Sequence, residues 1–285
     1  MKILLLPVAL SCSFFLQAQY YYNDIIGTRE TNRQMQTYKT NKVKMVTATG
    51  YTPQGSKATD FTEVQEIKEN GLYLKNTSIN QLNKTTTVYR FDGNGQVISI
   101  IDSSSSMINT IRYVYDDNGM IIKVENVVTD STGNFNQTEI HTWTYHEDNK
   151  PNTMWREIRN SGAIISTDSL EVKFLMDEEG NPTEEKTYRK GLETGFLYYY
   201  FDDKKRLTDI VRYNTKFKRL MPDIMFEYDD NDRVIQKITT TSSLSLGYLI
   251  WRYIFDEKGL KTKEALFNDD KELTGKIEYS YTFGQ

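Results

Sequence analysis

A repeat constrains this chain more than any other feature. Its unit reads aromatic-x-aromatic-Asp-x-x-Gly, followed by a run rich in apolar residues. The clearest copies are YRFDGNGQVISII from Tyr89, YVYDDNGMIIKVE from Tyr113, FEYDDNDRVIQKI from Phe226 and YIFDEKGLKTKEA from Tyr253. Weaker copies start at Trp143, Phe174 and Tyr199, a degenerate one at Ile67, and a half unit at Tyr279. The anchor position is Asp92, Asp116, His146, Asp177, Asp202, Asp229, Asp256 and then Thr282, giving intervals of 24, 30, 31, 25, 27, 27 and 26 residues. Such spacing belongs to one supersecondary unit copied along the chain, with insertions confined to one side.

Each unit reads as a β-hairpin. Side chains alternate along a strand, so aromatic-x-aromatic puts two rings on one face. Asp is favoured at the first position of a type I turn and Gly at the fourth, where φ is often positive. Turns are expected at 93–94, 117–118, 147–148, 178–179, 203–204, 230–231 and 257–258. The turn residues are Asp92, Asp116, Asp177, Asp202, Asp229 and Asp256, with Gly95, Gly119, Gly180 and Gly259. Asn149, Lys205 and Asp232 stand in the Gly position of three units. Lys tolerates the left-handed conformation poorly, so Asp202–Lys205 is expected to be the most altered turn. Pro151 and Pro182 are expected to mark edge-like or irregular strands. More polar links at 102–109, 129–137, 190–194 and 239–247 read as the opposite turns of a meander. Two strands per unit predict about 14 to 18 strands. The fold class is therefore all-β: an extended antiparallel sheet of consecutive hairpins, able to curl into a half-barrel or open barrel. Tyr113 and Tyr115 are expected on the buried face with Val114 opposite, and Phe226 and Tyr228 likewise with Glu227 towards water.

Tyr113-Val114-Tyr115-Asp116-Asp117-Asn118-Gly119-Met120-Ile121 and Tyr89-Arg90-Phe91-Asp92-Gly93-Asn94-Gly95-Gln96-Val97 resemble the YD repeat of the RHS family, over about residues 61–285. In that family the repeats build a curling sheet that can form a shell around a cargo. The chain has no core-associated segment, no self-cleaving protease region and no toxin, and it is far shorter than a toxin shell. The resemblance implies the antiparallel sheet and a small, stand-alone exported protein, and it does not imply the shell function.

Residues 1–18 read as a signal peptide. Lys2 is followed by an apolar run, Ile3–Leu16, too short to span a bilayer, and polar sequence begins at Gln17. Export to the periplasm, cell surface or medium follows. A lipoprotein reading through Cys12 is disfavoured, because the sequence after the cysteine stays apolar. The mature chain then has no cysteine and no disulfide. Residues 19–60 read as a flexible N-terminal extension or cap on the repeats; Gly27–Lys42 is polar without a clear period, and 43–48 suits a strand. The repeat domain is 61–285.

Composition excludes several classes. With 35 Lys and Arg against 39 Asp and Glu, there is no excess of positive charge for nucleic acid. A mean hydropathy of −0.61 excludes a helical membrane protein. His141 and His146 are the only histidines. They lie five apart, on opposite faces of a continuous strand, and His146 occupies a turn position. Neither metal binding nor acid–base work is expected of them, and replacing both is expected to leave function largely intact. The acidic turns read as solvated turns rather than Ca²⁺ loops, because the full Asp-x-Asp-x-Asp-Gly pattern is absent. No catalytic residue, cofactor or metal is assigned. Trp143, Trp155, Trp251, Tyr198 and Tyr200 could form a sugar-stacking surface or belong to the core. The expected function is non-enzymatic, a binding or structural role in the cell envelope, with an envelope protein or cell-surface glycan as partner. The alternatives are a glycan-binding module with an aromatic strip, or a carrier of an apolar ligand inside the curled sheet.

Overall fold

A computed structural model describes residues 20–81, 83–162, 166–214, 218–240 and 247–284. The signal-peptide reading, with Cys12, and residues 241–246 of the last polar link lie outside them. One α-helix, α1 (Asn23–Thr40), precedes eighteen strands. They begin with β1 (Val43–Tyr51), β2 (Lys57–Lys68), β3 (Tyr73–Asn80), β4 (Asn83–Phe91), β5 (Val97–Ser103) and β6 (Met107–Tyr115). Next come β7 (Ile121–Asp130), β8 (Phe135–Tyr145), β9 (Pro151–Gly162), β10 (Ser166–Met176), β11 (Pro182–Arg189) and β12 (Leu192–Phe201). The last are β13 (Leu207–Asn214), β14 (Arg219–Tyr228), β15 (Val234–Thr240), β16 (Tyr248–Phe255), β17 (Lys261–Phe267) and β18 (Leu273–Phe283). Every strand pairs antiparallel with its neighbours in sequence, and β1 pairs with both β2 and β18. The sheet is therefore closed into an eighteen-stranded barrel, beyond the half-barrel or open barrel that the repeat alone suggested. Closure removes both sheet edges.

The repeat turns share one construction. In the unit of Asp116, its N–H donates to the Met120 carbonyl at 2.9 Å and the Gly119 N–H to the Asp116 carbonyl at 3.0 Å. The carboxylate Oδ1 accepts from the N–H groups of Asn118 and Met120, at 3.0 and 2.8 Å. The fourth residue has positive φ, 77° at Gly119. This is a type I turn closed by a one-residue bulge. Asp92, Asp177, Asp202, Asp229 and Asp256 repeat it. The turn at Asp202–Lys205 is not altered: Lys205 adopts φ 61° and donates to Asp202 at 2.8 Å like its counterparts. The backbone bonds outweigh the local preference of the side chain. Pro151 and Pro182 do not mark irregular strands either. They open β9 and β11 at the register shift found after every such turn, where the strand needs no N–H from them. Copies that the sequence reading missed occur at Thr52–Ser56 and Asn268–Glu272.

Neighbouring units are also tied to one another at this rim. Tyr115, Tyr145, Tyr228 and Tyr281 each donate their hydroxyl to the first strand carbonyl of the preceding unit, those of Val97, Ile121, Leu207 and Lys261, at 2.6–2.7 Å. The second aromatic thus works as a ring and as a donor, which explains Tyr before Asp. The faces follow the repeat. Tyr113 and Tyr115 pack against the core while Val114 is 46% exposed; Phe226 packs inward and Glu227 is outside, bonded to Gln236.

Residues 23–40, polar and without clear period, form a helix inside the lumen. Helix α1 and its C-cap touch the wall at several points: Asn32 accepts from the Val97 N–H, Asp24 meets His141, Tyr38 donates to Gln65, Arg33 donates to the Asp232 carbonyl and the capping Asn41 to that of Lys258. Only an enclosed helix can reach β2, β5, β8 and the turns after β14 and β16 together. Its apolar residues Ile25, Met35 and Tyr38 are buried in one cluster with inward side chains of most strands. Its buried residues Ile25, Thr28, Met35 and Tyr38 share one face, while Arg29, Glu30, Arg33, Gln36 and Thr40 on the other stay exposed; a stripe this short, with Thr28 in it, leaves no strong apolar period in the sequence.

Replacing Lys205 by Gly is expected to stabilise the chain by about 1 kcal/mol, since a left-handed residue with a Cβ is strained by that order. Gly119→Ala is expected to destabilise it by about 1–2 kcal/mol. Urea denaturation of the two variants measures both.

Candidate functional site

The five aromatics singled out in the sequence do not share one surface. Trp143 is buried in the lumen at 3% exposure, stacked on Phe174, with its indole N–H donating to Asp24 Oδ2 at 2.9 Å. Trp251 lies opposite Lys237 and Leu266, on the face of Tyr253 and Glu264, and so also points inward. Trp155, Tyr198 and Tyr200 point outward. Period two divides the run Tyr198-Tyr199-Tyr200: the central ring is buried and its hydroxyl donates to Glu185, while the flanking rings stand on the outer wall.

The outer wall carries cross-strand and same-strand ion pairs such as Lys186–Glu184, Arg112–Glu125 and Lys263–Glu278, beside exposed apolar side chains such as Ile98, Ile108, Val114 and Ile254. No helix among the described residues is long and apolar enough to cross a membrane. Against this background, β9 to β13 carry a strip of outward rings. Trp155 faces Glu171, which faces Tyr188; Lys173 faces Lys186, which faces Phe196; Leu175 faces Glu184, which faces Tyr198. Tyr200 and Tyr213 complete it on β12 and β13. Trp155, Tyr200 and Tyr213 are 49%, 45% and 48% exposed. Phe196 and Tyr198 meet edge to face at 4.3 Å, and Lys173 and Lys186 lie over Tyr188 and Phe196. These contacts hold the rings while leaving faces and charged groups accessible. The sequence could assign Tyr198 and Tyr200 together by parity. It could not bring up Tyr188, Phe196 and Tyr213, because that needs the register between strands.

The lumen holds a second polar constellation. His141 is 4% exposed. Its Nδ1 lies 2.7 Å from Asp24 Oδ2 and its Nε2 2.8 Å from Glu139 Oε1. Burial opposes a charged imidazole, but Asp24 and then Glu139 outweigh it and push the pKa up to about 9. Both ring nitrogens are engaged and the ring is held as imidazolium, a poor base at neutral pH. The cavity beside it, lined by Asn23, Thr28, Asn126, Glu139 and His141 among others, has a volume of about 30 Å³, room for about one water. His146 is exposed in its turn. Nearby, the Glu185 carboxylate, 1% exposed, accepts from the N–H groups of Tyr21 and Tyr22 and from Tyr199. Burial pushes its pKa up to about 7. Arg156 donates to the Tyr21 hydroxyl and to Asp168. These groups fasten the start of α1 to the wall. The acidic turns spend their Oδ1 atoms on backbone N–H groups, and among the described residues no group of three His, Cys, Asp or Glu is arranged to hold a metal.

The fastening predicts a pH dependence. Glu185 keeps its proton to higher pH in the folded chain, so its contribution is full below about 4.5 and is lost as pH rises to about 7. His141 contributes fully below about 6.5, and this is lost as pH rises through about 9. Stability measured by urea denaturation is expected to fall steadily from pH 5 to pH 9. His141→Ala is expected to cost about 3–5 kcal/mol, because it leaves two buried carboxylates without their cation. It should also flatten the upper part of that profile, while His146→Ala should do neither.

No protein family matches the chain, and no curated protein sequence does. Among solved structures it is similar to a porin-like protein from Bacteroides uniformis, at 12% identity and TM-score 0.37, covering 84% of this chain and 98% of that one. It is also similar to the Photorhabdus luminescens Tc holotoxin pore, at 12% identity and TM-score 0.30, over 78% of this chain and 15% of that chain. A protein of unknown function of the DUF3598 family from Nostoc punctiforme gives 11% identity and TM-score 0.17, over 88% of this chain and 99% of that one. Likenesses this remote carry neither family membership nor function across.

Proposed function

We propose that this chain is an exported, non-enzymatic barrel of the cell envelope that binds glycan chains on the outer face of β9–β13. The observation that carries this reading is the strip of outward aromatic rings on consecutive strands. Sugar rings stack their apolar C–H faces on aromatic side chains, and their hydroxyls need donors and acceptors close by. Tyr188, Phe196, Tyr198, Tyr200 and Trp155 offer the first, and Glu171, Lys173, Glu184, Lys186 and Asp209 the second. The strip is long and open rather than a deep pocket, which suits a chain molecule better than a single small one.

The carrier reading is weaker on the same observations. Among the described residues α1 and the inward rings occupy much of the lumen, and the two cavities beside α1 measure about 10 and 30 Å³. Ligand pockets for small molecules run to about 300 Å³ or more. The bound state of both His141 nitrogens supports the non-enzymatic part of the proposal. A small stand-alone YD-repeat protein is the identity that the sequence resemblance offers for this reading, and the signal-like N-terminus is its support for export.

The test is a glycan array of hexose and N-acetylhexosamine oligosaccharides, read with the wild-type chain and with Trp155→Ala, Tyr198→Ala and Tyr200→Ala singly and together. Loss of each ring is expected to weaken binding about tenfold, the size of a typical hot-spot contact. The fold should survive, since all three rings face water. Undiminished binding by the triple variant, or no binding by the wild type, would remove this proposal.

A further inference from the structure

The repeat provides its own standard of burial, and one sector of the barrel falls short of it. Among the described residues, β14 and β15 hold no buried side chain on either face, while every other strand holds at least one. The first aromatic of the unit is buried at Tyr89, Trp143, Phe174 and Tyr199 but only half-buried at Phe226. The apolar residue that opens the second strand is buried at Val97, Ile121 and Leu207, and half-buried at Val234. These positions face the lumen in every unit, so the difference lies in what stands opposite them. A helix with its side chains is about 10–12 Å across, and eighteen strands enclose more than that. The buried face of α1 lies against the opposite wall. Its exposed face looks across the sector of β14 and β15: Arg33 donates to the Asp232 carbonyl in the turn that joins them, and the Glu30 carboxylate acts on Lys237 and Tyr228. Water therefore reaches the inner wall there.

One row of the ladder crosses this open sector: Phe226 on β14, Lys237 on β15 and Trp251 on β16. All three point inward and are half-exposed. Lys237 Nζ lies 5.8 Å from the centre of the Phe226 ring, with Trp251 on its other side. Among the described residues Lys237 makes no hydrogen bond or ion pair; Glu30 acts on it only through space. Glu30 in turn stands three residues before Arg33 on the helix, whose charge offsets its own. The ammonium of Lys237 is then the positive charge left over. Burial holds the Lys237 pKa below its ordinary value and pushes that of Glu30 up. Groups held tightly by a counter-ion shift the other way. The sector thus presents an ammonium without a close counter-ion between two half-exposed rings, inside the barrel and in contact with water.

We propose that the space between α1 and β14–β16 binds a small aromatic carboxylate, its carboxylate on Lys237 Nζ and its ring against Phe226 and Trp251. The anion supplies the counter-ion that Lys237 lacks, through a charge-assisted hydrogen bond in a partly enclosed space, where such bonds are strongest. The ring covers aromatic faces that the fold leaves open, and ring pairs add to what area burial alone gives. An inorganic anion would leave the two rings wet. An uncharged apolar ligand would enclose the ammonium without a partner, which is costly. This site is independent of the glycan surface, since its residues line the lumen and those of the strip face outward.

The experiment is calorimetric titration of the chain with phenylacetate, phenylacetamide and acetate at equal ionic strength. Phenylacetate is expected to bind saturably and about tenfold or more tightly than the amide, which keeps the ring and lacks the charge. Acetate, which keeps the charge and lacks the ring, should give no measurable heat. Lys237→Gln is expected to abolish the preference for acid over amide, and Trp251→Ala to weaken both several-fold. Both replaced side chains are half-exposed, and circular dichroism checks that the variants fold. The variant lacking Trp155, Tyr198 and Tyr200 should bind phenylacetate like the wild type, which separates this site from the outer strip. Acetylation of lysines, read by mass spectrometry, needs no variant: phenylacetate should protect Lys237. Absence of saturable phenylacetate binding at millimolar concentration would mean that only water, or another part of the chain, fills the sector, and would overturn the proposal. Equal binding of acid and amide, an acid preference kept in folded Lys237→Gln, or an unprotected Lys237 would each overturn it as well.

Discussion

The pairing of β1 with both β2 and β18 is the constraint on which everything else rests. Eighteen strands joined by tight turns would otherwise end in two open edges, each a row of unsatisfied backbone groups. The first strand of the first hairpin closes the ring by pairing also with the last strand of the chain. Closure turns one face of the sheet into an outer wall and the other into a lumen. A barrel of this many strands is too wide for its own side chains to fill. The helix that precedes β1 is thereby led into the space that closure creates, so ring and filling are supplied by adjoining segments of the chain.

The lumen also explains the chemistry found there. Polar groups of α1 enter a region of low dielectric, where an unpaired charge is costly. Asp24 with His141 and Glu139, Glu185 with the first backbone N–H groups of the α1 segment, and Glu63 at the end of the hydrogen-bond chain from Tyr38 through Gln65 are three ways of meeting that cost. They hold a helix with little apolar surface in one orientation. The same groups, seen without the fold, would look like acid–base machinery. In this fold both nitrogens of His141 and the Glu185 carboxylate are spent on contacts that tie the α1 segment to the wall.

The proposed binding surface lies on the outer wall. There the alternation of the strand puts every second residue into water, and on β9–β13 those residues are aromatic more often than elsewhere. Lys173 and Lys186 lie over rings rather than apart from them, so the strip combines stacking faces with charge. Carrying apolar rings on a face that stability does not need is the kind of feature that binding explains.

The period, the turn chemistry and the inward pairs were legible in the residues themselves, because all three depend on local rules. Asp116 and Gly119 encode their turn within four positions. Tyr113 and Tyr115 share a face whatever lies opposite. What happened at Lys205, Pro151 and Pro182 was decided by the ladder, whose hydrogen bonds impose the same turn and register shift on every unit regardless of the residue present. The helix at 23–40 could not be read locally, since its partners are spread around a ring that exists only once the chain is closed. The outer strip likewise depends on register between strands, which sets Tyr188 beside Glu171 and Lys186 beside Phe196. Closure, the contents of the lumen and the neighbours of each outward ring are long-range properties. They come from pairing residues as far apart as Val46 and Tyr281, and no stretch of sequence contains that information alone.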